Sequence, residues 1–468
     1  TFNKHKMPID YESFFTVEDL TGYENKELYE KEYLPKVEKY RADLEAALKP
    51  EYKAELPKDF PQLTETGFNP LKYFYENKLL SERELQITDT PAFKLRDQLA
   101  KGEISAVEVY KAFAHRAVIG HQLTNAAQDF FLDEGLQRAE FLDKYLKENG
   151  KPFGPLHGIP ISLKEQMNFK NRITHGSYVS KITNVPEKHG VTNQVLENLG
   201  AVFYVRTSQP QTLMHLDSTN NITGIAKNPH NTLLSPGGSS SGEGALGAFG
   251  GSAIGVGSDI GGSIRGPAAF SGSIGFRPTT RRISTFGGVS GGAGQESVPA
   301  VVGPMGRSVE DMELWMKAYI NEGKPWELDQ WCIPMPWRDV DKPKPEDLTI
   351  AILYDDELVQ PTPPIQRGLK ETVKKLEAAG VKIVEFKAPN TKLAYDTVHK
   401  MYSSDGNYMQ KKLLSDSGEP LTKLTRWSLN YGEGSKNFGN KETRELNLAR
   451  DSLRQEYTDY LLQNKVDF

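Results

Sequence analysis

The hydrophobic and polar positions alternate between segments with a helical period and short apolar runs typical of buried strands. The helical segments, with the residues that cap or end them, are Ala106 to Val118 after Ser105, Asp133 to Glu148 before Gly150, Val191 to Leu199 before Gly200, Val309 to Tyr319 after a Ser308–Asp311 capping box, and Pro364 to Ala379 before Gly380. The apolar runs are Ile159 to Leu163, Ala201 to Val205, Leu348 to Leu353 and Val381 to Phe386. This succession predicts an α/β domain with a mixed, largely parallel sheet under helices.

The first part of the chain has a different character. Residues 1–85 are charged, rich in tyrosine and helical in pattern, and Lys26 to Leu48 reads as an amphipathic helix. Pro35 is expected to break that helix, because proline cannot donate the helical hydrogen bond. We interpret residues 1–85 as a helical arm packed on a single large domain, residues 86–468. The chain begins with Thr1 and not with Met, and the final residues, 466–468, read as the start of a strand, so the chain is expected to be trimmed at both ends.

Composition narrows the class of protein. The 468 residues carry a formal net charge of −5 at pH 7, which gives no general attraction to nucleic acid or anionic lipid. The single cysteine, Cys332, excludes an internal disulfide and any paired-cysteine metal site. No apolar run approaches the ~18 residues that a membrane span needs, and the N-terminus has no signal-peptide core. These features predict a cytoplasmic protein without a membrane span or a nucleic-acid partner.

The most unusual stretch is Pro236 to Thr279. Residues 237–306 hold 21 of the 41 glycines, a density that makes sense where the backbone turns sharply or approaches a ligand closely. A flexible Gly/Ser linker is the alternative interpretation. Apolar residues such as Leu246, Ile254 and Ile264 recur through the stretch and argue for a folded segment.

Within this stretch, Asp259 to Ser263 forms a tight turn after an apolar run. Successive N–H groups from Ile260 to Ser263 can converge on one point, as acyl transfer needs for its developing oxyanion, and a serine in the turn is a natural nucleophile. Of the nine histidines, only His399 follows this core. A buried lysine can act as the base instead, since desolvation lowers its pKa, and Lys164 at the end of an apolar strand is the best-placed candidate.

These motifs resemble the amidase signature family, and within it the fungal acetamidase and fatty-acid-amide-hydrolase branch. The resemblance rests on residues 237–240 (GGSS), on residues 257–265 (GSDIGGSIR), on the upstream residues 160–164 (PISLK), and on further likeness from about residue 35 onward. It implies the amidase signature fold, a twisted mixed sheet with helices on both sides. It also implies hydrolysis of a small-molecule amide without metal or organic cofactor, and it is compatible with a homodimer.

Carried over residue by residue, the resemblance implies a Ser-Ser-Lys triad. Ser263 is the expected nucleophile, Ser239 (with a cis peptide bond) the proton relay, and Lys164 the base. The amides of Ile260, Gly261, Gly262 and Ser263 are expected to hold the oxyanion. Ser240, Asp259 and Arg265 are expected to support the reaction. For Asp259 and Arg265, a purely structural ion pair is an equal alternative.

The chain departs from the family pattern at Ser241, Ser258, Gly266 and Arg277, none of which removes a catalytic atom; Gly266 is expected to widen the site. Other interpretations stay open. Residues 238–242 match the G-x-S-x-G elbow, which would make Ser240 the nucleophile of an esterase with His399 as base, although no strand is predicted before it. The A subunit of a tRNA-dependent amidotransferase and a non-catalytic scaffold would keep the fold and change its role.

Overall fold

The computed structural model describes residues 20–430 and 436–468, and it alternates helices with short strands. The strands are β1 Ala127–Phe130, β2 Pro160–Lys164, β3 Val202–Thr207, β4 Ile254–Asp259, β5 Ile274–Gly275, β6 Val301–Gly306, β7 Thr349–Ile352 and β8 Lys382–Glu385. The helices are α1 Lys26–Leu28, α2 Leu34–Ala47, α3 Phe60–Thr64, α4 Pro70–Glu76, α5 Glu82–Asp89, α6 Ala92–Ala100, α7 Ala106–Thr124, α8 Leu132–Asn149, α9 Val191–Asn198, α10 Ser241–Phe249, α11 Arg265–Ser271, α12 Val309–Lys317, α13 Pro363–Ala378, α14 Thr391–Tyr402, α15 Tyr408–Ser415, α16 Lys423–Asn430 and α17 Asn440–Gln463.

The central sheet has six strands in the order β1-β3-β2-β4-β6-β5. The middle pairings, β3 with β2 and β2 with β4, are parallel, and the outer pairings are antiparallel, so the predicted mixed sheet is confirmed. Helices α7, α8, α10 and α12 contact its strands and bury them. Because β2 and β4 are parallel neighbours, their carboxyl ends meet at one edge, where ligands bind in such sheets.

Caps and glycines define the helix ends as the sequence indicates. The Ser105 side chain accepts from Glu108 N–H at the start of α7, and Gly150 ends α8 with a φ of 67°. The predicted Ser308–Asp311 capping box is only half present. Ser308 accepts from Asp311 N–H, but the Asp311 carboxylate accepts from Phe93 N–H at 2.9 Å, because the start of α6 lies within its reach.

The amphipathic helix of the arm is not broken at Pro35. A π-helical turn, Tyr29–Tyr33, precedes the proline and joins α1 to α2 without interruption, since the wider turn accommodates a residue without an N–H at the first turn of α2. Helix α2 lies against the large domain, where Arg41 Nε donates to Ile222 O at 2.6 Å and Val37 is fully buried. Residues 1–19 of the predicted arm lie outside the described residues.

Strands β7 and β8 form a separate parallel sheet of two strands with α13 between them. The sequence placed them in the same succession as the central strands, but they pair only with each other among the described strands. Residues 467 and 468 run beside β7, with Asp467 N–H donating to Thr349 O and Ala351 N–H donating to Phe468 O. No helix within the described ranges has the length and apolar character to cross a membrane.

Candidate active site

Lys164 is the last residue of β2, and every residue of that strand is buried. Its ammonium nitrogen donates to Ser239 Oγ at 2.7 Å and to Ser258 Oγ at 3.0 Å. Burial lowers the pKa of Lys164 to about 7, although the Asp259 carboxylate, and Glu243 when it is ionised, act in the opposite direction. A substantial fraction of Lys164 is therefore neutral near pH 7 and able to accept a proton.

Ser239 and Ser240 lie just before α10. The residue before them is Gly238, a position with no room for a side chain. The Gly238–Ser239 peptide bond is cis, as expected, and a Cβ at Gly238 would overlap the backbone of Asp217. Ser240 N–H donates to the Ser263 carbonyl at 3.1 Å, which ties the start of α10 to the turn after β4. The Ser240 hydroxyl donates to Ser258 O at 3.3 Å, which joins the start of α10 to β4.

Ser263 lies in the turn between β4 and α11 and borders a cavity. Gly262 in this turn has a φ of 122°, which a residue with a side chain rarely adopts. Within the described residues, the amides of Ile260, Gly261 and Ser263 have no acceptor, whereas Gly262 N–H donates to Asp259 Oδ1 at 2.8 Å. In this conformation the Gly262 amide holds the turn, and the other three amides are available to an oxyanion.

The Asp259 carboxylate organises the same turn. It accepts from the amides of Gly262 and Ile264 and from the Arg265 guanidinium, whose two contacts measure 2.9 and 3.0 Å. Burial by itself raises the pKa of Asp259, but these hydrogen bonds outweigh it and lower the pKa to about 2. Arg277 Nε approaches to 3.6 Å. The structural ion pair that the sequence left as an alternative is present.

A cavity of about 500 Å³ opens at Ser263. Its walls combine the loop before Ser218 with helices α14 to α16. They include Leu213, Met214, His215, Leu216, Val398, His399, Tyr402, Leu424 and Trp427. Burial lowers the pKa values of His215 and His399 to about 4, so neither histidine is charged near neutral pH. The Leu216 side chain borders Gly266 and occupies space beside it that the sequence expected to be open.

The predicted set of site residues does not include two that the structure places there. Ser258, noted only as a departure from the family pattern, accepts from Lys164 and donates to Gln166 Oε1 at 2.9 Å. Tyr402 comes from α14, and its hydroxyl donates to Ile260 O at 3.3 Å beside Gly261. The position of Ser258 within a polar strand end was a usable signal, but nothing in the sequence around Tyr402 indicates this contact.

The other chemical interpretations find little support. No strand directly precedes Ser240, which the esterase elbow requires, and Ser240 is buried behind the site. The Gly242–Gly247 stretch, which has glycine spacing resembling that of dinucleotide-binding loops, lies inside α10. In the part of the chain that the structure describes, no group of three or more His, Cys, Asp or Glu side chains could hold a metal ion.

Comparison with known proteins identifies the family of the chain. A sequence model of the family described as Amidase matches residues 108–467. The acetamidase of Emericella nidulans is 43% identical over 348 residues, which make up 73% of this chain and 63% of that protein. An amidase of Gibberella moniliformis is 40% identical over 368 residues, which make up 78% of this chain and 68% of that protein.

A solved structure named fatty acid amide hydrolase is similar over 98% of this chain and 81% of its own, with a TM-score of 0.97 and 64% sequence identity. This similarity confirms the expected amidase signature fold. The chain spans less than two thirds of the length of the Emericella acetamidase. From these matches we conclude that the chain belongs to the amidase family and is an amide-hydrolysing enzyme.

Proposed function

We propose that the chain hydrolyses its amide through Ser263, Ser239 and Lys164, with an acyl-enzyme intermediate. The observation that carries the proposal is the 2.7 Å hydrogen bond from the fully buried Lys164 to Ser239 Oγ. A lysine in water stays protonated at pH 7, whereas this one has its pKa lowered to about 7 by burial. It therefore combines the position and the proton affinity of a general base.

In the first half of the reaction, neutral Lys164 takes a proton from Ser239 as Ser239 takes one from Ser263. The Ser263 oxygen forms a bond to the amide carbon, and the carbonyl oxygen becomes an oxyanion. Free amides at Ile260, Gly261 and Ser263 stabilise that charge. The C–N bond then breaks, and the proton returns from Lys164 through Ser239 to the leaving nitrogen, which departs as ammonia or an amine.

The second half repeats the proton movements with water. Lys164, again through Ser239, accepts a proton from the attacking water, whose oxygen bonds to the acyl carbon. The bond between that carbon and the Ser263 oxygen then breaks, and Ser263 recovers its proton. The products are a carboxylic acid and the free enzyme, and water is the co-reactant consumed.

We propose that the acyl part of the substrate is long or bulky and largely apolar. A cavity of about 500 Å³ is in the range that holds drug-sized ligands, and acetamide would leave most of it unfilled. Uncharged histidines and side chains such as Leu213 and Trp427 suit an apolar chain. The 64% identical structure bears the name fatty acid amide hydrolase, whereas the Emericella relative is named acetamidase, so a short amide is the second candidate.

A series of straight-chain primary amides separates the two candidates. Each CH₂ group buried in the cavity contributes about 0.8 kcal/mol, equivalent to roughly fourfold in kcat/KM. We expect kcat/KM to rise with chain length from acetamide onward, with equal molar release of acid and ammonia. A maximum at acetamide would contradict the proposed substrate class, and release that is unchanged in Ser263→Ala would contradict the mechanism.

A further inference from the structure

Glu243 is a buried carboxyl group that the proposed reaction does not use. It lies in the first turn of α10, four residues after Ser239, and only 1% of it is exposed. Ser162 Oγ lies 2.6 Å from Glu243 Oε2, and the Thr207 hydroxyl lies 2.7 Å from Oε1. Within the described ranges it forms no ion pair.

Both hydroxyl partners belong to the strands around Lys164. Ser162 precedes Lys164 by two residues in β2, so the two side chains lie on the same face of the sheet. Thr207 is the residue of β3 that lies opposite Lys164. Glu243 therefore joins the helix that follows Ser239 to the strand that carries Lys164.

The sheet also makes room for this side chain. Gly255 in β4 is the partner of Ser162, and a Cβ there would overlap the Glu243 carboxyl group. A glycine in a strand interior weakens the strand unless another group approaches closely. Here the approaching group is the carboxyl of Glu243.

A protonated carboxyl group can satisfy the oxygen–oxygen distances around Ser162. Ser252 Oγ donates to Ile254 O at 2.9 Å, and Ser162 Oγ lies 2.9 Å from Ser252 Oγ. If the single Ser162 hydrogen points to Ser252, the 2.6 Å contact with Glu243 needs a hydrogen from Glu243. A carboxylate would instead take the Ser162 hydrogen, and the contact between the two serines would then require Ser252 to turn away from Ile254.

We propose that Glu243 is held as a neutral carboxylic acid and acts as a positioning residue, which fixes Ser239 against Lys164 without adding negative charge beside the base. The inference rests on the proposed role of Lys164. Burial raises the pKa of Glu243 to about 7, whereas the hydrogen bonds with Ser162 and Thr207 and the charge of Lys164 act in the opposite direction. The first turn of a helix favours negative charge, but more weakly than burial opposes it.

The ionisable groups around this carboxyl are few. Lys164 faces it from β2, and Tyr204 faces it from β3 with burial holding its pKa far above the ordinary value. Asp259 acts on Lys164 from β4 and keeps its charge through its own hydrogen bonds. An ionised Glu243 would be a second negative charge acting on Lys164, and it would favour the protonated form of that amine.

Glu243→Gln tests the proposal, because glutamine keeps the shape and offers an NH₂ donor to Ser162 and an oxygen acceptor to Thr207. In Glu243→Gln, we expect the rise of kcat/KM with pH to have the same midpoint as in the wild type. Glu243→Ala should lose about 100-fold in activity, because Ser239 and Lys164 would be displaced from each other. Glu243→Gln should recover most of that loss. The infrared difference spectrum, wild type minus Glu243→Gln, should show the C=O band of a protonated carboxyl group at pH 7.

Three results would overturn the proposal. The first is a carboxylate band in place of the acid band. The second is a rise of kcat/KM whose midpoint lies about one pH unit or more lower in Glu243→Gln than in the wild type. The third is a Glu243→Gln protein that does not fold. Wild-type activity in Glu243→Ala would contradict the positioning role. If amide hydrolysis did not depend on Lys164, the proposed function would fail, but the infrared band would still report the protonation of Glu243.

Discussion

Lys164 Nζ and Ser239 Oγ lie 2.7 Å apart where the end of β2 meets the start of α10. Both residues are buried, and the same amine also donates to Ser258. The lysine therefore meets hydroxyl oxygens rather than a carboxylate, and no described acid forms an ion pair with it. This arrangement allows the amine to lose its proton at neutral pH, and the predictions below depend on it.

Replacing the base should remove most of the activity. Lys164→Ala leaves Ser239 and Ser263 without a proton acceptor, so kcat for amide hydrolysis should fall by about 100-fold or more. Lys170→Ala, which changes an exposed lysine on the following loop, is the matched control and should hydrolyse the amide at the wild-type rate. Circular dichroism of both variants separates loss of chemistry from loss of fold. A folded Lys164→Ala protein with near-normal kcat would rule out this base.

The rate should depend on pH in one direction. Lys164 acts only when it is unprotonated, and its pKa is lowered to about 7, so kcat/KM should rise as pH increases through about 7. Initial rates measured from pH 5 to pH 9 at low substrate concentration give this limb. A flat profile, or a limb near pH 4 where a carboxylate or the buried His399 titrates, would show that another group is the base.

The two members of the ion pair in the nucleophile turn should differ in their contribution to stability. The Arg265 side chain is 54% exposed and that of Asp259 is fully buried. Arg265→Ala should lower the free energy of unfolding by about 0–1 kcal/mol. Asp259→Ala leaves the amides of Gly262 and Ile264 without acceptors, at about 1–3 kcal/mol each. Urea unfolding of both variants measures the difference, and equal losses would disprove the assigned role of Asp259.

Tyr402 and Gly261 should be coupled. A Cβ at residue 261 would overlap the Tyr402 hydroxyl, so Gly261→Ala should displace the turn that carries Ser263 and reduce kcat/KM. Tyr402→Phe removes that hydroxyl and should restore part of the loss in the double variant. Residues in contact show coupling energies of about 0.5–3 kcal/mol, and a double-mutant cycle in kcat/KM measures this one. Strictly additive effects would mean that the two residues act independently.

Much of the fold follows from local signals. Ser105 and Gly150 define helix ends through interactions within a few residues, and the apolar run before Lys164 predicts a buried strand. The pairing of β7 with β8 outside the central sheet could not be predicted, because sheet membership depends on partners distant in the chain. The predicted break at Pro35 is wrong, because a π-helical turn before the proline keeps the helix continuous. Such a turn leaves no clear pattern in the sequence.

The residues of the site also differ in whether the sequence could predict them. Ser263 and Lys164 could be proposed from the turn and the apolar strand that carry them, and Ser239 from the resemblance to the amidase signature family. Tyr402 could not, because it reaches the site from a helix more than 130 residues after Ser263 and its neighbours in sequence are ordinary. The competition of Asp259 for the Gly262 amide depends on the turn geometry, which the residue types alone do not determine.

Peptide mapping after reaction with a fluorophosphonate tests the central claim most directly, since this reagent labels activated serines. The account predicts one adduct by intact mass, located on Ser263, that is absent in Ser263→Ala and forms much more slowly in Lys164→Ala. An adduct on Ser240, or labelling of Ser263 at an unchanged rate without Lys164, would contradict it.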